Sequence, residues 1–410
     1  MFHRLLSLLL FLPWVASVCP ASYFSAQTGD PAAAGMDAER LARIPVRMQV
    51  YVDNGRAAGI VTLLARHGYL ALLSAAGYQD RENQVPMRTD TIFQIMSMTK
   101  PVTSTAILML MEEGKLALTD PVEKHVPEFR GQQLAETCPV SRDAANCRLK
   151  EPSRVITIRD LLTHTSGLPG DLKDSELRWK RTLVETVMLT SQQALVFEPG
   201  TRWLYSNLGM ATLGRIIEIA SGQPYEQYIT ERILNPLGMR DTFYFLPKAK
   251  QNRIAAVYTN DHGKLKREDV DLMRRGAKYP APEGGLYNTA TEMANFYQML
   301  LNKGVLERRR FMSPASVDLM TTMHTGDLKA GFSPGVGFGL GWAVVKEPEG
   351  TFRLNSIGTY GHGGAYRTYG WVDPAKDMIG VILLQRTNGG GDIADEINSF
   401  MAMAAAAIER

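Results

Sequence analysis

The chain has 410 residues, 45% of them hydrophobic and 21% charged, with 36 glycines and 21 prolines. That is an ordinary globular composition, and it excludes collagen, coiled coil and wholesale disorder. Lys plus Arg number 45 against 42 Asp plus Glu, a formal charge of +3, and the even balance sets nucleic-acid binding aside. A chain this long is expected to form two or three domains, with a core that needs neither metal nor disulfide for support.

At the N-terminus Arg4 precedes the apolar stretch Leu5 to Val18, interrupted by Ser7, Pro13 and Ser17. It reads as a secretory signal over residues 1–21, too short to span a bilayer, with cleavage after Ser17 or Ala21. The expected location is secreted or periplasmic. Val18 is a poor neighbour for a lipidated Cys19, so lipid anchoring is not expected. No later apolar stretch is long enough to span a membrane. Residues 22–44 are small and polar and read as a flexible leader. Cys138 and Cys147 lie too far apart for a CxxC zinc pair. In an oxidising compartment they are expected to form a disulfide worth about 2–3 kcal/mol, the alternative being two free thiols in a surface insertion.

Gly59 to Ala65 and Tyr69 to Ala76 read as a strand pair turning at His67-Gly68. From Ser97 the period becomes helical, with Ala106, Ile107, Leu110 and Met111 on one face and Gly114 as C-cap. Asn207 to Ala220 and Pro224 to Leu234 read as helices. Thr289 to Glu292 reads as a capping box opening a helix to Leu301. Arg308-Arg309-Arg310 reads as a solvated helix end, and Ser313-Pro314 as a helix start. Strands return at Trp342 to Val345, Thr368 to Val372 and Met378 to Gln385, before a final helix over Ile393 to Ile408. Strands thus sit at both ends of the chain and helices fill the middle.

Ser97-Met98-Thr99-Lys100 opens the first strong helix. Residues three apart share a helix face, so the serine oxygen and lysine nitrogen can meet. A helix N-terminus also favours the negative charge that a reacting serine develops. Alone, the pattern is weak, because a serine near a helix start and a solvated lysine are commonplace. Two further clusters follow in the chain, Tyr205-Ser206-Asn207 after the turn Pro199-Gly200, and His362-Gly363-Gly364 after Tyr360-Gly361.

In these three clusters and their order the chain resembles the serine β-lactamase and penicillin-binding-protein superfamily, and looks closest to class C β-lactamases and family VIII carboxylesterases. The resemblance covers roughly residues 45–405. It implies a β-lactamase/transpeptidase-like α+β fold, an antiparallel sheet flanked by helices with an inserted mostly helical domain. The expected division is a sheet domain from 45–96 and 305–410 and a helical domain over 97–304, with the site between them. The resemblance makes Ser97 the nucleophile. Lys100 and Tyr205 exchange its proton, since a tyrosine beside an ammonium suits a general base. Asn207 would hydrogen-bond Lys100 or substrate. His362, Gly363 and Gly364 would form an edge strand lining the site. The N–H groups of Ser97 and Ala365 would hold the oxyanion. Trp203 and Tyr366 neighbour these motifs and are candidate pocket walls.

One departure bears on substrate. His362 stands where β-lactamases carry a lysine that resembles an anchor for the drug carboxylate. A histidine is mostly neutral at neutral pH, so carboxylate binding should weaken while uncharged esters lose nothing. Arg367 is a nearby candidate for restoring the charge. Leu161 to Leu168, which includes His164, is a weaker echo of the family, and His164 reads as structural. The alternating glycines 335, 337, 339 and 341 read as a bare strand face for close backbone packing. Gly331-Phe332-Ser333-Pro334-Gly335 matches GxSxG, but no helix pattern follows and Pro334 lacks the N–H that an oxyanion donor needs. Nothing in the sequence requires a metal or a cofactor. The expected activity is ester hydrolysis on a small-molecule substrate through an acyl-enzyme. Alternatives are a β-lactamase, a D-amino-acid peptidase or amidase, and a penicillin-binding module that stays acylated.

Overall fold

Gly59 to Ala65 is apolar at almost every position because this strand is covered on both sides. The computed structural model describes residues 23–24, 27–137, 148–262, 264–270, 276–351, 353–387 and 394–409. The signal segment, Cys19, Cys138 and Cys147 lie outside the described residues. Strands β1 (Gly59–Arg66) and β2 (Tyr69–Asp80) form the expected pair, followed by the short β3 (Val85–Pro86). The far end of the chain adds β4 (Val336–Phe338), β5 (Ala343–Val345), β6 (Tyr360–Gly364), β7 (Thr368–Asp373) and β8 (Met378–Leu383). Among the described residues the largest sheet has eight strands in the order β4-β5-β6-β7-β8-β1-β2-β3. Every neighbour is antiparallel, and Val61 of β1 lies opposite Leu383 of β8.

Alternation along β1 and β8 divides the core. Ile60, Leu64 and Ile382 face the helices α1 (Ala38–Asp53) and α7 (Asp395–Ala406), packing with Ile44, Met48, Ile397 and Phe400. Val61, Leu63, Val381 and Leu383 face the other way, onto the larger core. There the helices are α2 (Lys100–Glu112), α3 (Leu183–Ser191), α4 (Asn207–Ser221), α5 (Ala290–Leu301) and α6 (Pro314–Thr321). Every residue of α2 from Lys100 to Leu110 is buried, so the single apolar face expected for it is too narrow. Helix α5 lies within the expected helical stretch yet packs on β8, β1 and β7. Its Tyr297 sits so close to β7 that a Cβ on Gly370 would stand 2.2 Å from the ring.

Four expectations change. The leader over 22–44 is helical from Ala38, because Asp37 caps α1 by accepting the Arg40 N–H at 3.0 Å and Leu41 and Ile44 are buried. Arg309–Arg310 is not a helix end but an exposed strand paired with Val305–Leu306. Thr289 caps α5 as expected, but the Glu292 carboxylate accepts from Asp241 N–H and Thr242 hydroxyl instead of closing the box. Of the four alternating glycines, Gly337 lies in a strand, whereas Gly335 and Gly341 turn at φ 75° and 80°.

Candidate active site

Ser97 lies in a short 3₁₀ turn, Met96–Thr99, that runs directly into α2. Pro101 suits the first turn of that helix, where no backbone donor is needed. Met96 immediately before the serine has φ 50°, a left-handed conformation that costs energy for a side chain of this kind. Ser97 is part exposed, whereas Lys100 has no exposed surface. The Lys100 Nζ donates to Ser97 Oγ at 3.1 Å, Asn207 Oδ1 at 2.8 Å and the Glu283 carbonyl at 2.8 Å. The ammonium is therefore bound through all three donor directions. It also lies 4.5 Å from the centroid of the Tyr205 ring, within cation–π range.

Tyr205 enters from the start of α4. Ser206, not Asn207, is its N-cap, accepting the Gly209 N–H at 3.1 Å and donating to the Pro169 carbonyl at 2.6 Å. The backbone on either side is fastened to the segment 164–170. Leu204 N–H donates to the His164 carbonyl at 2.9 Å and Asn207 N–H to the Gly170 carbonyl at 2.8 Å. Ser206 N–H donates to His164 Nδ1 at 3.2 Å. That bond puts the imidazole proton on Nε2, a buried atom with no partner. The His164 ring packs 4.6 Å from that of Tyr205. Burial, then the nearby Lys100 and His362, hold its pKa well below the ordinary imidazole value.

The third cluster is β6. It is not the sheet edge, because β5 and β4 lie outside it. Yet β5 pairs only with Tyr360 and Gly361, so His362 to Gly364 extend past the end of that ladder and pack against the Ser97 turn. Contact there is close: a Cβ on Gly364 would stand 2.3 Å from the Ile95 carbonyl oxygen, to which Thr368 Oγ1 donates at 3.0 Å. Ala365 follows, exposed, at the start of the turn to β7. His362 Nδ1 lies 2.7 Å from the Gly363 carbonyl, which can only accept, so Nδ1 carries the proton. Nε2 then presents a lone pair 3.5 Å from Tyr205 Oη. Burial and then Lys100 push the His362 pKa down to about 3, so the ring is neutral. Arg367 does not replace the missing cation: it is buried and its Nη1 donates to the carboxylate of buried Glu396 at 2.8 Å.

The family model named Beta-lactamase matches residues 46–400. The chain belongs to the Beta-lactamase family. An uncharacterized protein of Mycobacterium tuberculosis (strain CDC 1551 / Oshkosh) is 36% identical, over 81% of this chain and 87% of its own. Esterase EstB of Burkholderia gladioli is 31% identical, over 87% of this chain and 93% of its own. Among solved structures, EstCE1, described as a hydrolase with promiscuous acyltransferase activity, superposes with a TM-score of 0.75 at 25% identity, covering 90% of this chain and 99% of its own.

Within this β-lactamase-family site the other expected residues divide. Trp203 stands behind Tyr205, its ring 6.2 Å from the tyrosine and 5.4 Å from Phe338. Tyr366 lies in the turn after Ala365, where its carbonyl accepts from Arg386 N–H at 3.1 Å. Ser333 sits in a loop that leads into β4, without the strand–turn–helix setting of a hydrolase elbow. Four participants escape sequence reasoning. Glu283 binds Lys100 through its carbonyl, where residue type carries no signal. Asp171 accepts from Asn207 Nδ2 at 2.9 Å. His164 reads as structural yet touches the Tyr205 ring. Phe332, inside the GxSxG match, packs on Tyr205 at 4.9 Å. Among the described residues no group of three His, Cys, Asp or Glu side chains converges as a metal site would.

Proposed function

We propose that the protein is an exported serine carboxylesterase that cleaves carboxylic esters of small to medium acyl groups through an acyl-enzyme on Ser97. The observation that supports this reading is the neutral His362 on β6. A substrate carboxylate placed there gains no charge from His362 or from Arg367, which is committed to Glu396. A β-lactam or a peptide C-terminus loses binding energy in such a site, and an uncharged ester loses none. The likeness to a protein named an esterase points the same way.

In this mechanism Ser97 Oγ attacks the ester carbonyl while its proton passes to the Lys100–Tyr205 pair, Lys100 Nζ lying 3.1 Å from Ser97 Oγ and 4.5 Å from the centroid of the Tyr205 ring. The N–H groups of Ser97 and Ala365 hold the oxyanion. Tyr205 returns the proton to the departing alcohol oxygen, leaving the acyl group on Ser97. Water then repeats the sequence, with the same pair taking its proton, and releases the acid. Paired kcat/KM measurements on p-nitrophenyl butyrate and nitrocefin test the reading. A much higher value on the ester is expected, and a much higher value on nitrocefin overturns it.

A further inference from the structure

We infer that Phe332 is a specificity-determining residue whose ring packs against the alcohol portion of the ester, so that the enzyme favours esters of apolar and aryl alcohols. The inference rests on the ester reading above. Phe332 is an aromatic side chain left 51% exposed. It stands edge-on to Tyr205 at 4.9 Å and to Trp203 at 5.5 Å, with interplanar angles of 67° and 80°. Trp203 and Tyr205 in turn contact Phe338 and His164. Tyr205 is thus flanked by the rings of Phe332, Trp203 and His164, and Phe332 is the one of them left most open to solvent.

Asn207, two residues on from Tyr205, turns to Lys100 and Asp171. The recess beyond it mixes polar and apolar side chains, among them Asp171, Leu172, Arg181, Leu208 and Tyr279. In the mechanism proposed above Tyr205 hands a proton to the departing oxygen, so the alcohol leaves past the tyrosine, whose ring Phe332 flanks. An apolar alcohol there removes both its own surface and the exposed ring from water. The ring is held in place by its loop. Gly331 and Gly335 turn at φ 78° and 75°, and the Gly335 carbonyl accepts from Lys346 and Glu347 N–H groups at 2.8 and 2.9 Å.

The test holds the acyl group constant and varies the alcohol. The kcat/KM values for methyl, butyl, phenyl and 1-naphthyl acetate are measured for wild type, Phe332→Ala and Phe332→Leu. The expected result is that the 1-naphthyl to methyl ratio falls about 10-fold in Phe332→Ala and less in Phe332→Leu. The single-turnover rate of deacylation, which follows departure of the alcohol, should change much less than acylation. An equal loss on all four esters overturns the inference, because Phe332 would then only position Tyr205. So does an unchanged ratio, or sensitivity to acyl length in its place. A wild type inert on every ester overturns the ester reading and the inference together, a pattern distinct from an active wild type whose ratio Phe332 does not move.

Discussion

Lys100 binds the oxygens of Ser97, Asn207 and Glu283 at once, so the proposed nucleophile, the start of α4 and the Glu283 loop converge on one nitrogen. Ser97→Ala should lower ester kcat by at least about 10,000-fold, as loss of a covalent nucleophile does. Ser333→Ala should stay within about twofold of wild type, because its loop supplies neither base nor oxyanion donor. The reverse outcome in a steady-state assay removes Ser97 from the chemistry. His362 makes a separate prediction. Its folded pKa of about 3 lies below the value near 6.5 of an unfolded histidine. Between those values the unfolded chain binds a proton that the folded one does not, so stability falls as pH drops below about 6.5 and is insensitive to this group above it. Urea midpoints at pH 7 and pH 5 should show a smaller acid loss for His362→Gln, the difference being up to about 1.4 kcal/mol per pH unit.

The start of α4 shows how an element sets a side chain. Ser206 caps the helix, ties it to Pro169 and carries Tyr205 and Asn207 on either side. Ser206→Ala should cost about 1–2 kcal/mol and reduce kcat more than it raises KM, because the tyrosine loses its footing while the binding surface persists. Thermal melting alongside kinetics checks both. What was legible here followed interaction range. Ser97 and Lys100 meet through helix spacing, which sequence carries. Tyr205 was legible through its motif and its place in chain order. His164 and Phe332 reach Tyr205 only after distant segments pack, and nothing in their neighbours announces it. Helix α1 was hidden for another reason. The stretch before it is small and polar and reads as a leader, yet Leu41, Ile44, Met48 and Tyr51 recur at helical spacing and bury.

Across the whole molecule, buried charge knits the turn after β6 to the C-terminal helix. Glu396, with no exposed surface, receives both Arg367 and Arg56. Glu396→Gln should lower stability by about 3 kcal/mol, because it leaves the buried Arg367 guanidinium without its counter-charge. Denaturant titration of the variant against wild type checks it. The overall sheet was legible because strands clustered at both ends of the sequence, but its closure was not local information: β1 pairs with β8, and Met36 bridges to Ile408.

That closure governs how the protein is made. As the ribosome delivers the chain, β1 and β2 emerge long before β8, the partner on the other flank of β1. Until Met378 to Leu383 is released, Val61 and Leu63 have one neighbour strand instead of two, and the helices between them wait on an unfinished platform. A nascent chain in that condition commits to its native shape only when β8 arrives to complete the sheet.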